Sequence, residues 1–427
     1  MQTITVDALI CGGGMSGLAC ASFAASSGAK VLVVEKQSTV GGSSNYSAGM
    51  FWGPKSYSSL RSWVPWGDPD LQAAWMQDYL PAVQWMRENG VPVAQRFDGI
   101  MTIGIGFPIN IPHLHAYHQQ RIRDSNTGSQ IFTDTAVVKL LQEVPGVPGS
   151  RVIGAVIRRA DGTHYEVRAK RVVLATGGFQ GNPKLLSVHL GQHADDMFVR
   201  SNKGSVGDGL TLGTQVGAGS SRGMSTFYGH LLAAPLQAEK FSERTRTQHC
   251  ISAPFPNAGE IDRLAKAQEH GCRVGSAPTI NGLVEILTQW GVNGAQARKT
   301  IKQYDQAIRL GDSTVALDAP VGAGGNPPVP LVEGDGPFFC MEVQPSIDSK
   351  GRALTTDGNP IPGLLVAGVD GGGFSNLGYA GGLALAFVTG FWAAKAIAME
   401  LNLPVPSLPA ADARDAVHRE IGLGSKL

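Results

Sequence analysis

The chain has 427 residues, 43% of them hydrophobic, which is enough for two or three domains with a large core. Its formal net charge of +1 argues against nucleic acid or an anionic membrane as the main partner. The five cysteines form no CxxC pair, so we expect neither a disulfide framework nor a zinc site, and a reducing compartment is favoured.

The N-terminal segment has the pattern of a dinucleotide-binding strand–turn–helix–strand unit. An apolar run ends in a turn with Gly12, Gly14 and Gly17, and a second apolar run, residues 31–34, ends at Glu35. The three glycines allow a tight turn, close approach to a pyrophosphate and close helix packing, while the acid can accept hydrogen bonds from a ribose hydroxyl. The N-terminus of the following helix attracts phosphates. Because the first strand begins within a few residues of the N-terminus, no signal peptide is expected.

The following segments predict loops, a helix and strands in alternation. Residues 40–54 predict a Gly/Ser loop with aromatic residues, and residues 70–89 have apolar positions near helical spacing. Residues 128–141 predict a short strand that leads into a helical piece. Residues 151–173 predict a β-hairpin around an Asp-Gly turn, running directly into the sequence LATGGF.

One histidine-rich motif, HxHxxH, is formed by His113, His115 and His118. The motif straddles a helix start that is led by a proline, and no cysteine or acid partner is nearby. We therefore expect no metal site, and these histidines are predicted to have a solvated or capping role.

The composition changes after about residue 223, where strand signals fade. Residues 280–310 predict an amphipathic helix with a break at Gly291, and a strand–turn–helix pattern returns near the C-terminus. The sequence thus predicts an α/β fold, with a Rossmann-like domain split in sequence by a smaller α+β capping domain. The predicted boundaries are 1–222 for the first part of the nucleotide domain, 223–334 for the capping and substrate domain, 335–404 for the last strand and helix of the nucleotide domain, and 405–427 for a tail.

Two C-terminal features bear on localisation. Residues 377–394 carry no charge and are about long enough to cross a bilayer, but glycines interrupt them, so a buried helix is predicted rather than a membrane span. The chain ends in Ser425-Lys426-Leu427, which is a peroxisomal import signal if the organism is eukaryotic. Otherwise we expect a cytoplasmic protein.

Several motifs in a fixed order resemble the flavoprotein family of succinate dehydrogenase and fumarate reductase. They are GGGMSG, GGSSNYSAGMFW, LATGGF, VGDGLTLG and IPGLLVAGVDGGGFSNLGYAGG. The most similar branch contains the 3-ketosteroid Δ1-dehydrogenases and tricarballylate dehydrogenase-like proteins. The resemblance implies FAD as cofactor and a small-molecule substrate, and leaves the electron acceptor and the oligomeric state open.

The resemblance also implies which residues hold FAD, from the pyrophosphate and adenosine through the ribityl chain to the flavin ring. These residues are Gly12, Gly14, Met15, Ser16, Gly17, Glu35, Lys36, Gly42, Ser43, Ser44, Val137, Ala175, Thr176, Gly177, Asp208, Asp370, Gly382, Leu383 and Ala384. The last three begin a helix whose N–H groups point at flavin O2 and N1, which favours the anionic reduced flavin.

The family moves a hydride between the flavin and a carbon next to a carbonyl or carboxylate, while a second group handles the proton. Tyr379 with Gly382 matches the pair that holds a carbonyl oxygen in the ketosteroid branch, although Tyr379 could equally be a packed aromatic residue. Tyr228 and His230 stand where the fumarate reductase side carries a substrate-contacting histidine. No second strand–GxGxxG–helix unit is present, which disfavours direct reduction by NADPH.

Two family segments have no counterpart in this sequence, so either the protein has lost them or the sequence omits residues that belong to it. The segment of type GxRFxDE, with its proton-delivering Arg, would fall near residues 247–250, and a run of type T-x-GG would fall near residues 347–348. We therefore assign the proton-delivering role to no Arg of this chain. The favoured function is dehydrogenation or reduction of a C–C bond next to a carbonyl, and the aromatic residues between 46 and 66 favour a hydrophobic, steroid-like ketone or enone. A flavin oxidase or hydroxylase and an FAD-binding relic without turnover remain as alternatives.

Overall fold

A computed structural model describes residues 2–47, 49–100, 103–190, 202–220, 275–277, 279–310, 350–374 and 380–415 of the chain. The chain divides into two compact units, one formed by residues 1–226 and 342–427 and the other by residues 227–341. The first unit contains the N-terminal glycine turn together with the last strand and helix. Tyr228, His230, Tyr379 and the C-terminal tripeptide lie outside the described residues.

The first unit is built around a largely parallel sheet with the N-terminal strand near its centre. In spatial order the strands are β10 (Arg352–Leu354), β11 (Pro360–Val366), β9 (His164–Leu174), β1 (Gln2–Cys11), β2 (Val31–Val34) and β6 (Gln130–Phe132). β1 pairs in parallel with both β2 and β9, and β11 pairs in parallel with β9. The last strand of the nucleotide domain is therefore supplied by the C-terminal segment, and the α/β Rossmann-like expectation is confirmed.

A three-stranded meander extends from β9. β8 (Val152–Arg159) and β9 form the predicted hairpin, and β7 (Thr135–Gln142) pairs antiparallel with β8. The helical piece predicted within residues 128–141 is wrong, because β7 is a strand. The predicted strand ends at Val137, whereas Lys139, Leu140 and Leu141 still pair with β8 residues, so this non-local pairing prevails over the short helix-compatible pattern.

Two apolar helices pack against each other beside the sheet. α1 (Met15–Ser26) contacts the C-terminal helix, Leu383–Glu400, so closely that a Cβ on Gly390 would lie 2.3 Å from the Ser16 carbonyl oxygen. Within the described part of the chain, Leu383–Glu400 is the one helix long and apolar enough to cross a bilayer, and 72% of it is buried in the protein. It is thus a core helix, as predicted for the apolar C-terminal segment.

A second, smaller sheet lies between the glycine turn and the hairpin in sequence. It consists of β3 (Met50–Pro54), β5 (Gly104–Pro108) and β4 (Phe97–Ile100), all antiparallel. The helices of this region are α2 (Tyr57–Trp63), α3 (Pro69–Glu88) and α4 (Ile111–Asp124). The helix predicted at residues 70–89 is confirmed as α3, which starts at the Asp68 N-cap and contains Pro81 in its interior.

The remaining helices follow the hairpin. α5 (Pro183–Leu190) and α6 (Asp208–Gln215) belong to the first unit. The second unit contains α7 (Ile280–Gln289) and α8 (Gly294–Leu310), separated at Gly291, whose φ of 92° suits only glycine there. This confirms the predicted helical segment and its break. In chain order, the helix Leu383–Glu400 is α9.

Candidate functional site

The glycine turn after β1 is shaped so that only glycine fits at two of its positions. Gly12 has φ 114°, and a Cβ there would lie 2.2 Å from the Ala175 carbonyl oxygen. A Cβ on Gly17 would lie 1.9 Å from the Gly12 carbonyl oxygen. Gly14 differs, because its Cβ would meet nothing closer than the Gly41 carbonyl oxygen at 3.9 Å. The turn is therefore closed on its protein side and open at Gly14, where a ligand can approach.

The first turn of α1 leaves its backbone N–H groups available. Gly14 is the N-cap and carries no side chain to accept from them, and Met15 and Ser16 follow as buried residues of the first turn. The first N–H groups of a helix have no partner within the helix and carry partial positive charge. This arrangement matches a pyrophosphate, whose oxygens accept such hydrogen bonds.

Glu35 lies at the end of β2 and is 6% exposed. Its carboxylate accepts the Gly13 N–H at 2.9 Å on one oxygen and the Gln37 N–H at 2.9 Å on the other. A carboxylate has about four acceptor positions, so each oxygen keeps capacity for a ribose hydroxyl. The Glu35 carbonyl oxygen also accepts the Thr135 N–H at 3.0 Å, which places the start of β7, the strand that carries Val137, beside the acid.

A second glycine loop, residues 41–46, lies directly on the turn. The Gly41 N–H donates to the Gly13 carbonyl oxygen at 2.7 Å, and a Cβ on Gly42 would lie 3.5 Å from the Gly14 Cα. The hydroxyl of Ser44 donates to the Gly41 carbonyl oxygen at 2.5 Å. Gly42 and Ser44 are thus held next to the open side of Gly14.

Ser43 connects this loop to segments that follow β9. Its hydroxyl lies 3.2 Å from the Ser205 hydroxyl and accepts from the Gln180 amide at 3.3 Å. A Cβ on Gly177 would lie 3.3 Å from the same Ser205 oxygen. The structure therefore brings together loop residues that are more than 130 positions apart in the sequence, as the predicted cofactor site requires.

Asp370 ends the short 3-10 turn Gly368–Asp370 that follows β11, and it is buried against the turn that follows β9. Its carboxylate accepts the Thr176 and Gly177 N–H groups and the Thr176 hydroxyl, the last at 3.2 Å. Burial raises the pKa of Asp370 to about 7, although these hydrogen bonds lower it, and the charge of Asp208 raises it further. The Asp370 carboxylate thus joins the two sequence-separated parts of the domain.

Asp208 opens α6 close to this carboxylate. It forms an ion pair with Lys36, the residue after Glu35, and the following Gly209 N–H donates to the Thr176 hydroxyl at 2.8 Å. A Cβ on Gly209 would lie 2.2 Å from an Asp370 carboxylate oxygen. Lys36, Asp208, Thr176 and Asp370 therefore form one connected polar cluster at the carboxyl ends of the sheet strands, where open α/β sheets bind ligands.

The start of α9, like the starts of α1 and α6, has no side-chain cap. Gly382 is its N-cap and offers no side-chain acceptor, and Leu383 and Ala384 are buried. Gly381 has φ 111°, and a Cβ there would lie 2.5 Å from the Trp52 carbonyl oxygen, so the helix starts against β3. Buried N–H groups at a helix N-terminus favour an anionic group.

These features fit FAD. The open, uncapped start of α1 suits the pyrophosphate, the spare acceptor capacity of Glu35 suits the adenosine ribose, and the uncapped start of α9 suits the pyrimidine edge of the flavin. The FAD contacts implied for Gly42, Ser43, Ala175 and Gly177 stay predictions. The ribityl contact implied for Asp370 and the adenine contact implied for Val137 stay predictions.

The histidine motif requires a correction. The predicted solvated role is wrong for two of its members, because His115 is 4% exposed and His118 is fully buried on α4. His115 Nε2 lies 3.1 Å from the Ser44 hydroxyl, and His118 Nδ1 lies 2.7 Å from the Ser22 hydroxyl. Only His113 is exposed, and its N–H bonds the Asn110 side chain that caps the helix. No cluster of three or more metal-ligating side chains occurs among the described residues.

The fold and the site define a flavoprotein in which a C-terminal strand and helix complete an N-terminal nucleotide-binding unit. The chain belongs to the FAD binding domain family, whose model matches residues 7–242. FAD is therefore its cofactor, and the predicted resemblance to fumarate reductase and ketosteroid dehydrogenase flavoproteins is confirmed by the relatives described next.

Two relatives are bacterial reductases of similar sequence. The chain is 23% identical to a fumarate reductase (cytochrome) of Shewanella frigidimarina, over 91% of this chain and 76% of the relative. It is 23% identical to an NADH:fumarate oxidoreductase of Klebsiella pneumoniae (strain 342), over 89% of this chain. The chain spans only 46% of the length of that relative. The alignments run over 451 and 454 positions, more than the 427 residues of this chain, so both relatives carry stretches with no counterpart here.

A solved structure shares the fold. The 3-ketosteroid Δ1-dehydrogenase from Sterolibacterium denitrificans, in complex with 1,4-androstadiene-3,17-dione, superposes with a TM-score of 0.64 at 15% identity. The match covers 93% of this chain and 100% of that chain. This likeness shows that the two chains share their fold over almost the full length of this chain.

Proposed function

We propose that the chain dehydrogenates or reduces a C–C bond next to a carbonyl group in a hydrophobic ketone or enone. The observation that carries the proposal is the start of α9, which is buried, uncapped and seated against Trp52 of β3. Bound FAD supplies the exchange of a hydride at its ring. The chain itself has to bind the flavin edge, polarise the carbonyl and move a proton.

Among the described residues, we assign the backbone N–H groups of Gly382 and Leu383 as the donors to the flavin edge and to the substrate carbonyl oxygen. A helix N-terminus placed against β3 stabilises negative charge on the flavin edge, and its outermost N–H can hold a carbonyl oxygen as negative charge develops there. Tyr379 is three residues before Gly382, and we propose that its hydroxyl supplies the second donor to that oxygen. Tyr228 and His230 are proposed to line the substrate side.

The aromatic segment between residues 46 and 66 supports a hydrophobic substrate only in part. Phe51 and Trp52 are buried and pack the protein interior. Tyr46, Tyr57 and Trp66 are exposed, with Trp66 at 73%, although large aromatic side chains usually bury much of their surface. The Gly67 carbonyl oxygen accepts the Arg61 guanidinium at 2.7 Å, and the Asp68 N–H donates to the Gly373 carbonyl oxygen at 2.7 Å. This loop is therefore fixed to the segment that leads to Tyr379.

The test is a substrate screen that follows the flavin colour without oxygen. Purified protein loaded with FAD is mixed with steroid-like ketones while the flavin is oxidised and, after chemical reduction of the flavin, with the corresponding enones or with fumarate as a dicarboxylate. Loss of the yellow absorbance with a ketone, or its return with an enone, supports the proposal. A reaction with fumarate alone contradicts the hydrophobic substrate class, and a protein that never takes up FAD contradicts the proposal as a whole.

An FAD-binding protein without turnover is the second candidate, and the two missing family segments favour it. The matched experiment is an insertion of the GxRFxDE segment between Thr247 and Cys250, with the same flavin readout. Turnover by the natural chain rules this candidate out. Release of hydrogen peroxide during turnover in air identifies the third candidate, an oxidase. Peroxisomal import through Ser425–Leu427 stays a prediction.

A further inference from the structure

We propose that His115 is a positioning residue for FAD, which it orders through the Ser44 hydroxyl and the glycine loop at residues 41–42. This inference goes beyond the proposed reaction, since it concerns only how the cofactor is held. It rests on the identity of the cofactor as FAD and is independent of the substrate.

The two contacts of the Ser44 hydroxyl fix the direction of its hydrogen bonds. The Ser44 hydroxyl lies 2.5 Å from the Gly41 carbonyl oxygen, which can only accept, so the hydroxyl proton is used there. The Ser44 oxygen must then accept at its other contact, which is His115 Nε2 at 3.1 Å. His115 is therefore protonated on Nε2, and Ser44 has a single orientation.

Gly41 connects the Ser44 hydroxyl to the pyrophosphate-binding turn. Gly41, whose carbonyl oxygen Ser44 holds, donates its own N–H to the Gly13 carbonyl oxygen at 2.7 Å. Gly41 has φ 117° and Gly42 has φ 49°, conformations that favour glycine, and within the loop the Asn45 amide donates to the Val40 carbonyl oxygen at 3.0 Å. The buried imidazole is thus the one described side chain from another element that anchors the Ser44 hydroxyl beside Gly14.

The charge state of the His115 imidazole follows from its burial. Burial lowers the pKa of His115 to about 4, so the ring is neutral near pH 7 and donates one proton, the one that Ser44 accepts. A neutral donor orders the loop without adding a positive charge close to the phosphates. The affinity of the site for FAD therefore depends on a hydrogen bond to Ser44 and not on an ionic contact.

His118 provides a matched control on the same helix. It lies three residues further on, is also buried, and its Nδ1 contacts the Ser22 hydroxyl at 2.7 Å. Ser22 in turn donates to the Ala19 carbonyl oxygen at 3.2 Å, in the interior of α1. Loss of this contact weakens the packing of α4 on α1 but leaves the glycine loop untouched.

The experiment measures FAD affinity and thermal stability of the apoprotein for H115L, H115Q and H118L. We expect H115L to raise the FAD dissociation constant about tenfold, the effect of one buried hydrogen bond. In H115Q the Gln amide N–H takes the place of His Nε2, so the constant should stay within about threefold of the unchanged protein. H118L should lower the melting temperature of the apoprotein while its FAD constant changes less than about twofold.

Equal changes in FAD affinity for H115L and H118L would overturn the proposal, as would an H115L protein with unchanged affinity. If H115L does not fold, H115N, whose amide is one bond shorter than that of Gln, decides the question together with S44A and the S44A/H115N pair. The proposal requires that H115N weakens FAD binding in the natural background and weakens it less, or not at all, in the S44A background. An independent, additive loss contradicts it. Because none of these measurements uses a substrate, failure here leaves the proposed reaction untouched.

Discussion

The adenosine end and the flavin end of the site are built in different ways. At the adenosine end, Gly12, Gly14, Gly17 and Glu35 lie within 24 residues of one another, and backbone atoms make most of the contacts. At the flavin end, Asp370 bonds Thr176 across 194 positions, and α9 starts against β3. The binding residues of the first end are close together in the sequence, although Ala175 and His115 support them from distant segments. Those of the second end meet only when distant segments fold together.

The largest difference is expected for a pair of glycine substitutions in the turn. Gly17→Ala places a Cβ 1.9 Å from a backbone oxygen, which cannot move cheaply, so we expect a loss of more than about 4 kcal/mol and little folded protein. Gly14→Ala meets only an atom at 3.9 Å, and φ there is −76°. It should fold normally but bind FAD about a hundredfold more weakly, because its Cβ occupies the space beside the pyrophosphate.

Circular dichroism and FAD titration of the two apoproteins check this pair. A Gly14→Ala protein that binds FAD normally would show that the cofactor does not approach the turn at that point.

The flavin end should show its own pH dependence of stability. The pKa of Asp370 is raised from 3.8 to about 7, so the folded protein holds a proton that the unfolded chain releases. Its contribution to stability is therefore fully present below about pH 4 and is lost as the pH rises through 7. We expect the melting temperature of the apoprotein, measured relative to Asp370→Asn, to fall by several degrees between pH 4 and pH 8.

If the difference in melting temperature between the natural apoprotein and Asp370→Asn stayed constant from pH 4 to pH 8, Asp370 would remain ionised in the folded state. In that case its carboxylate would be stabilised by the Thr176 and Gly177 N–H groups more strongly than burial destabilises it.

The adenosine end should respond to pH in the opposite direction. Burial lowers the pKa of His115 from 6.5 to about 4, so the unfolded chain takes up a proton that the folded protein refuses. This contribution is present above about pH 6.5 and is lost as the pH falls toward 4. Relative to H115L, the natural apoprotein should therefore lose stability on acidification, as followed by thermal melting at pH 7, 6, 5 and 4.

Burial also lowers the pKa of His118, and the charge of His115 lowers it further, so the same comparison is repeated in the H118L background, where this coupling is absent. If the natural apoprotein instead gained stability relative to H115L on acidification, the assignment of a neutral His115 would be wrong.

The smallest effect is expected for the ion pair that links the two ends. Lys36 and Asp208 are each about one-third exposed, so solvent screens their attraction, and Lys36→Met should cost less than about 1 kcal/mol. Urea unfolding of the apoprotein measures this directly. A loss of several kcal/mol would mean that the polar cluster around Asp370 depends on Lys36.

Local signals in the sequence were sufficient for the glycine turn, the hairpin β8–β9, α3 and the broken helix at Gly291. Each has its turn residue or cap within its own segment, such as Asp68 at the start of α3. β7 was mispredicted because its pairing with β8 decides its conformation. The bond from His115 to Ser44 spans 71 residues, so no periodicity could reveal it, and a buried histidine resembles an exposed one in sequence.

The most direct test of the proposed function is anaerobic mixing of the FAD-loaded protein with a steroid-like ketone while the flavin absorbance is recorded. We expect first-order loss of the oxidised flavin band, and we expect this band to return when an enone is added to the reduced protein. A protein that binds FAD tightly but shows no change in flavin absorbance with any ketone, enone or dicarboxylate would contradict it.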